Sequence, residues 1–421
     1  MNAKLVMTMV AVPVVAAAAA GERLGIDALR EKAAGGDAAA QVEVAHRYRD
    51  GDGVALDLRE ALRWGHQAAD SGDARAMDFV GWMYFHGKGV EARPEIAVGY
   101  FKAAAGKSLQ AAWNLGLSHF AGMGTVLDVP AALAVWEDAA ARGHGRSAST
   151  AAMVRLAGDG VTADAAAARR LAEQAAGWND PNGLVVLGEL QFKAGDDEAA
   201  AATWRKVAAM KQTGLTGNPE QSSDVMAAQQ GADLVRLMGV RRGNRGKSLW
   251  VDVPHVHQGW NNCGATSCAM LARSFGATVG SWEFKRFCPS SPTGTGTDWQ
   301  ELVEAAPRVA QKWKLVTFAD DEAGFAEATA FARSELAAGR ALAIDFKYIG
   351  PQYPGGEAGH TLLLSGYLAE DDLYVLCNPA IASPGLQLIT PDDLKRYWRS
   401  DGYSHTSGGR MYRPAIVKAT D

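Results

Sequence analysis

After its first twenty residues this chain has no apolar run reaching the eighteen or so residues a bilayer-spanning helix needs, so no membrane span is expected. Cysteine is scarce. There are four in 421 residues, all in the last 160, and no two stand in a CxxC pair, which argues against a structural zinc or a dithiol redox site. Blocks of one charge are also missing. Forty-two basic residues against 47 acidic ones leave a net charge of −5, so nothing draws the chain to phosphate backbones and no nucleic-acid partner is expected. The glycine-rich Thr293-Gly294-Thr295-Gly296-Thr297 lacks the lysine of a phosphate loop and reads as a flexible loop capping a helix from Asp298, with a lid role open. No cofactor or metal is called for.

What is present is enough for two cores, because 421 residues exceed what one hydrophobic core usually serves. Residues 1–20 have the pattern of an export signal. Lys4 supplies a positive start, Leu5 to Val15 an apolar stretch and Ala18-x-Ala20 a small-residue cleavage site. Cleavage near Ala20 predicts a soluble periplasmic or secreted protein. Cys268 and Cys288 could pair in such a compartment, and buried free thiols are the alternative.

The first half repeats. Gly-x-Gly recurs at Gly51/Gly53, Gly87/Gly89, Gly122/Gly124 and Gly158/Gly160, at intervals of 36, 35 and 36 residues. Ala68, Ala104, Ala139 and Ala175 each follow the second glycine by fifteen residues, and Trp64, Tyr100 and Trp136 follow it by eleven or twelve. Apolar residues at helical spacing, such as Ala76, Val80 and Tyr84, then Ala97, Phe101 and Ala104, place a pair of helices in each unit. One pair cannot bury its apolar face alone, whereas stacked pairs share a core. A fifth unit, Pro181 to Met210, keeps Gly188 and Trp204 but only Gly195 at its turn, as a degenerate end repeat would. Trp82, Trp113 and Trp136 are assigned to packing. Over residues 36–210 the pattern resembles the Sel-like relatives of the tetratricopeptide repeat. That resemblance implies a solenoid whose concave face binds a protein partner or polypeptide substrate. Residues 211–248 then read as a linker carrying a capping helix near Asp224 to Met238, with Arg241, Arg242, Arg245 and Lys247 as a solvated hinge.

Chemistry is concentrated in residues 249–421. Asn262-Cys263-Gly264 enters the apolar helical stretch Ala265 to Phe275, which puts Cys263 at a helix start, where backbone N–H groups and the helix dipole favour a thiolate. A lone Cys-Gly at such a place is more often a core thiol. Gln258, five residues earlier, changes the weighing, because its amide could join the Cys263 N–H in holding an oxyanion. Downstream, Gly359-His360 opens the strand-like run Thr361 to Tyr367, and Leu373 to Cys377 ends at Asn378-Pro379. If the two runs pair through residues 369–372, His360 and Asn378 meet at one edge of the sheet, and the Asn oxygen can aim the imidazole at Cys263. His255 and His257 are weaker rivals as base, having no strand and carboxamide partner of their own. His405 reads as a surface residue, and Cys377, alternating with Asn378, should face away from the site.

This constellation resembles the papain-like cysteine peptidases, most closely the bacteriocin-leader-processing branch. The matching motifs are Val253-Pro254 before Gln258, Asn262-Cys263-Gly264, Gly359-His360 before a strand with Gly366-Tyr367, and Asn378-Pro379 after the next. The resemblance implies an α+β fold with Cys263 as nucleophile, His360 as base, Asn378 as orienting residue and Gln258 as oxyanion donor. Asp is more usual than Asn in that branch, and no transporter segment accompanies the domain. The expectation is therefore an all-α repeat solenoid followed by an α+β papain-like peptidase. An amidase or transpeptidase acting on cell-wall peptide or small amides, and an inactive binding scaffold, are the alternatives.

Overall fold

The computed structural model describes residues 24–210, 219–258, 262–288, 299–348, 358–398 and 413–419. The export-signal residues, the 293–297 loop and His405 lie outside them. Eleven helices come first: α1 (Ile26–Ala34), α2 (Ala38–Asp50), α3 (Leu58–Asp70), α4 (Ala74–His86), α5 (Pro94–Ala104), α6 (Leu109–Ala121), α7 (Val129–Ala141), α8 (Gly145–Ala157), α9 (Ala165–Gly177), α10 (Pro181–Lys193) and α11 (Asp197–Ala208). They form an all-helical repeat solenoid. Each glycine turn joins the two helices of a unit, and its first glycine caps the preceding helix in the left-handed region, at φ 62–68° for Gly51, Gly87, Gly122 and Gly158.

The second glycine has a different reason. A Cβ at Gly89 would lie 2.5 Å from the Leu58 carbonyl oxygen, and one at Gly124 would lie 2.2 Å from that of Pro94. At Gly160 it would lie 2.6 Å from Val129 Cγ2. Leu58, Pro94 and Val129 are the first residues of α3, α5 and α7, so each turn rests on the second helix of the unit before it. Inside the units, Gly81, Gly116 and Gly188 leave room for Phe101, Trp136 and Trp204. Ala68, Ala104, Ala139 and Ala175 are fully buried, as the repeat pattern requires.

α12 (Pro219–Arg241) lies across the end of this array and also touches the sheet that follows. Two of the four basic residues expected at a hinge, Arg241 and Arg242, are instead held against the last repeat. Arg241, largely covered, pairs with Glu189 at 2.6 Å and stacks on Phe192, and the more exposed Arg242 pairs with Asp197, so both clamp α12 to the last repeat. The reason is the carboxylate of Glu189, itself almost wholly buried, which needs a charged partner at close range.

The described residues after α12 are α+β. Their elements are β1 (Leu249–Trp250), α13 (Cys263–Ser274), α14 (Ser281–Lys285), α15 (Trp299–Glu304), β2 (Trp313–Val316), α16 (Glu322–Ala337), β3 (Leu342–Tyr348), β4 (Ala358–Leu368), β5 (Leu373–Cys377), β6 (Leu386–Ile389), α17 (Pro391–Tyr397) and β7 (Ala415–Lys418). The antiparallel sheet runs β2-β7-β3-β4-β5-β6, with β1 paired to β4. α13, buried from Gly264 to Ala272, packs on β4 and α14. Among the described residues no helix is long and apolar enough to cross a membrane.

The two halves share a polar joint. Asp159, the middle residue of the fourth glycine turn, accepts the Ser281 N–H at 2.9 Å and the Ser281 hydroxyl at 2.7 Å, capping α14. Arg273 at the end of α13 donates to the Ala157 carbonyl at 2.6 Å, and Phe120 meets Trp282 edge to face.

Candidate active site

Cys263 is the first residue of α13, as its place before an apolar helical run predicts. Its partly buried thiol stands beside His360 and the Thr361 backbone N–H. Ser267, one turn along α13, donates to the Thr361 carbonyl at 2.8 Å and so ties the helix to β4 beside the cysteine.

His360 reaches the site because β4 and β5 pair antiparallel through residues 369–372. Leu363 lies opposite Cys377, so by alternation His360 and Asn378 lie on the other face, as diagonal neighbours. The imidazole Nε2–H donates to Asn378 Oδ1 at 2.8 Å. Nδ1 is then the nitrogen left for the thiol, the tautomer a general base requires. The Asn378 amide is fixed in turn. Its Oδ1 also accepts the Ala380 N–H at 2.9 Å, and its Nδ2 donates to Gln387 Oε1 at 2.8 Å.

Burial alone would push the Cys263 thiol up, but the hydrogen bond and charge of His360, with the Thr361 N–H, bring it below the usual thiol value. Burial pulls His360 down, and the bonds to Cys263 and Asn378 more than reverse this. The two shifts favour a thiolate beside an imidazolium. Asp345 on β3, opposite Thr361, adds a nearby negative charge that favours the imidazolium and opposes the thiolate.

Gln258 is anchored by its backbone N–H to the Pro379 carbonyl at 2.7 Å, next to Asn378 in sequence. Its Oε1 is buried without a hydrogen bond. The same is true of both amide atoms of Asn262, just before α13, and of the Thr266 hydroxyl in its first turn, on either side of Cys263. Unsatisfied buried polar groups cost about 1–3 kcal/mol each, and here they gather at one helix start.

The rival bases are placed elsewhere. Buried His255 donates from Nε2 to the Asn378 carbonyl at 3.0 Å, and desolvation lowers it to about 3, so it is a neutral support for the Asn378 backbone. His257 donates to the Ile381 carbonyl at 3.3 Å. All four cysteines are free thiols, including Cys268 and Cys288. Cys377 is wholly buried and turned toward the Pro384 carbonyl, and desolvation pushes it up to about 12.

Comparison with known proteins divides the chain along the same line. The Peptidase_C39 like family matches residues 250–405, and the Sel1 repeat matches residues 38–73, 74–108, 109–144 and 151–177. The chain joins Sel1 repeats to a Peptidase_C39-like domain. Solved structures similar to it include a Sel1 repeat protein from Oxalobacter formigenes, 24% identical over 48% of this chain and 89% of that one, with a TM-score of 0.39. A protective antigen of uropathogenic Escherichia coli with an SLR fold is 22% identical over 68% of this chain and 56% of that one, TM-score 0.42. A Sel1 repeat protein from Klebsiella pneumoniae is 16% identical over 51% of this chain and all of that one, TM-score 0.33. No curated protein matches the chain. The Peptidase_C39-like match points to a cysteine peptidase, and Sel1 repeats are protein-interaction modules.

Within the Peptidase_C39-like domain, Thr361, Asp345 and Gln387 border the site and were not singled out from sequence. Gln387 had a visible signal, a lone amide in the short apolar run Leu386-Gln387-Leu388-Ile389. Thr361 and Asp345 had none, since one acts through its backbone and the other arrives from a strand whose register sequence does not give.

Proposed function

We propose that residues 249–421, which include the Peptidase_C39-like match, form a cysteine peptidase using Cys263, His360, Asn378 and Gln258. The observation that carries this reading is the hydrogen bond of His360 Nε2 to Asn378 Oδ1 at 2.8 Å, which leaves the rest of the imidazole beside Cys263, where thiol and imidazole shift each other toward the ion pair. The Cys263 thiolate attacks the substrate carbonyl. The Cys263 N–H and the Gln258 amide hold the tetrahedral oxyanion, and the His360 imidazolium protonates the departing amine. Water, deprotonated by His360, then hydrolyses the thioester. Asn378 keeps the imidazole in its tautomer and plane throughout.

The repeats, residues 36–210, bind a protein partner or the polypeptide substrate itself. α12, in residues 211–248, fixes their end to the catalytic domain. Residues 1–20 direct export, and sequencing the mature N-terminus after secretion should begin at Gly21.

The test of mechanism is alkylation of Cys263 by iodoacetamide across pH, read by mass spectrometry. Labelling is expected to persist well below the unperturbed thiol pKa of about 8.5, and His360→Ala should return it to that value. Cys263→Ala should abolish peptide hydrolysis with its thermal unfolding unchanged. A wild-type midpoint at the free-thiol value, or hydrolysis by Cys263→Ala, would refute the mechanism.

A further inference from the structure

The hydrogen bonds of the site do not stop at Asn378. Leu386 lies opposite Cys377 in the β5–β6 pair, so Gln387 is on the same face as Asn378, and His360 is on that face of β4. Three polar side chains thus stand in a row across three adjacent strands. His360 donates to Asn378 Oδ1 at 2.8 Å, and Asn378 Nδ2 donates to Gln387 Oε1 at 2.8 Å. β6 is itself held from outside the sheet. Asp233 of α12 accepts the Leu388 N–H at 3.0 Å, and Gln230 of α12 donates to the Ala382 carbonyl at 2.6 Å in the loop between β5 and β6.

An amide that orients a base has a weakness a carboxylate lacks, because one of its two ends is a donor. Turned over, Asn378 would present Nδ2–H to the Nε2–H of His360, and the imidazole would swing away. Two contacts oppose that flip. The Ala380 N–H needs the oxygen, and Gln387 Oε1 needs the nitrogen. Ala380 offers only its backbone, so the side chain that sets the polarity is Gln387. We propose that Gln387 is a positioning residue for the Cys263–His360 pair, locking the Asn378 amide with its oxygen toward His360, on a strand held in place by the last helix of the repeat half. This rests on the reading of His360 as the base for Cys263.

A double-mutant cycle on the full-length protein separates positioning from general support. A glutamine can accept or donate, so Asn378→Asp should be tolerated in part: the Gln387 amide turns and donates Nε2–H to the new carboxylate. Gln387→Glu should also be tolerated in part, because its carboxylate still accepts from Asn378 Nδ2. Together the two changes set carboxylate against carboxylate with no donor between them. The readout is the rate of Cys263 alkylation by iodoacetamide at pH 6, with its full pH profile and the thermal unfolding midpoint.

Each single change is expected to slow alkylation about 3-fold and the double change more than 100-fold, far past the product of the two. Gln387→Leu, which leaves Asn378 Nδ2 unsatisfied, should slow it about 10-fold and move the pH midpoint toward the free-thiol value, with Gln387→Glu recovering most of that loss. A double change equal to the product of the singles overturns the proposal. So does a Gln387→Leu protein whose pH profile matches the wild type. If the wild type itself alkylates like a free thiol, the underlying peptidase reading fails instead, and the two failures are told apart by that one control.

Discussion

In the repeats, Gly116 meets Trp136 and Gly188 meets Trp204 in the same way, each indole N–H donating to a backbone carbonyl of the facing helix at 3.1 Å. In the Peptidase_C39-like domain, His360, Asn378 and Gln387 meet once, from β4, the end of β5 and β6, and among the described residues nothing repeats them. The contrast is between contacts fixed by local spacing and contacts fixed by topology. A stacked array reuses one solution, so a residue's role is known from its copies. A sheet with the order β2-β7-β3-β4-β5-β6 brings distant segments together, and each role is unique to its place.

The largest effect expected from breaking this comparison lies in the array. Trp136 and Trp204 are fully buried, and each fills the space its partner glycine leaves. Trp136→Ala and Trp204→Ala should each lose about 3–5 kcal/mol of stability by denaturant unfolding, because a large buried indole is removed and the helices relax only partly. Exposed Trp178 at the end of α9 should tolerate Ala within about 0.5 kcal/mol. Unequal losses at Trp136 and Trp204 would show that the repeats are less alike energetically than geometrically.

A smaller effect tests where repetition ends. The middle residue of the glycine turn is Asp52, Lys88, Met123 and Asp159 in the four units, so no pattern marks it. Asp52 is exposed, whereas Asp159 is buried at the joint with α14 and accepts two hydrogen bonds from Ser281. Asp159→Leu leaves the buried Ser281 N–H and hydroxyl unsatisfied and should cost about 2–3 kcal/mol, against less than about 0.5 kcal/mol for Asp52→Leu. Equal effects at the two positions would mean that the joint contributes nothing beyond the repeat itself.

Those positions also show what was legible in the chain. The glycine period gave the helix pairs, and the second glycine proved necessary because Leu58, Pro94 and Val129 crowd it. The run Thr361 to Tyr367 and the run Leu373 to Cys377 are joined by four residues, and a hairpin that short left one way to bring His360 to Asn378. Gln387 could not be placed because Ser383-Pro384-Gly385 hides how β6 returns along β5. Asp159 could not be placed because its partner Ser281 is 122 residues away. Arg241 carries no sign in sequence of its place against the last repeat, because buried Glu189, the group that draws it down, looks there like any surface acid on an amphipathic helix.

The smallest effect sharpens the comparison at α12, where the two regions touch. Asp233 accepts the Leu388 N–H of β6 and the Gln229 side-chain amide, yet burial dominates and raises its carboxyl to about 6. The unfolded value is near 3.9, so the folded chain holds this proton more tightly than the unfolded one. The stabilisation is complete below about pH 4 and is lost as pH rises through 6, where the buried group must ionise. Asp233→Asn keeps an acceptor for Leu388 without a charge to desolvate. It should nearly match the wild type at pH 4 and exceed it by about 3 kcal/mol at pH 7.5, following the pKa difference of about two units at about 1.4 kcal/mol per unit. A variant equally stable at both pH values would mean that the carboxylate is well solvated when charged. A variant that gains stability at pH 7.5 but alkylates Cys263 more slowly would mean that the charge on α12, and not only its hydrogen bond, sets how β6 presents Gln387 to Asn378.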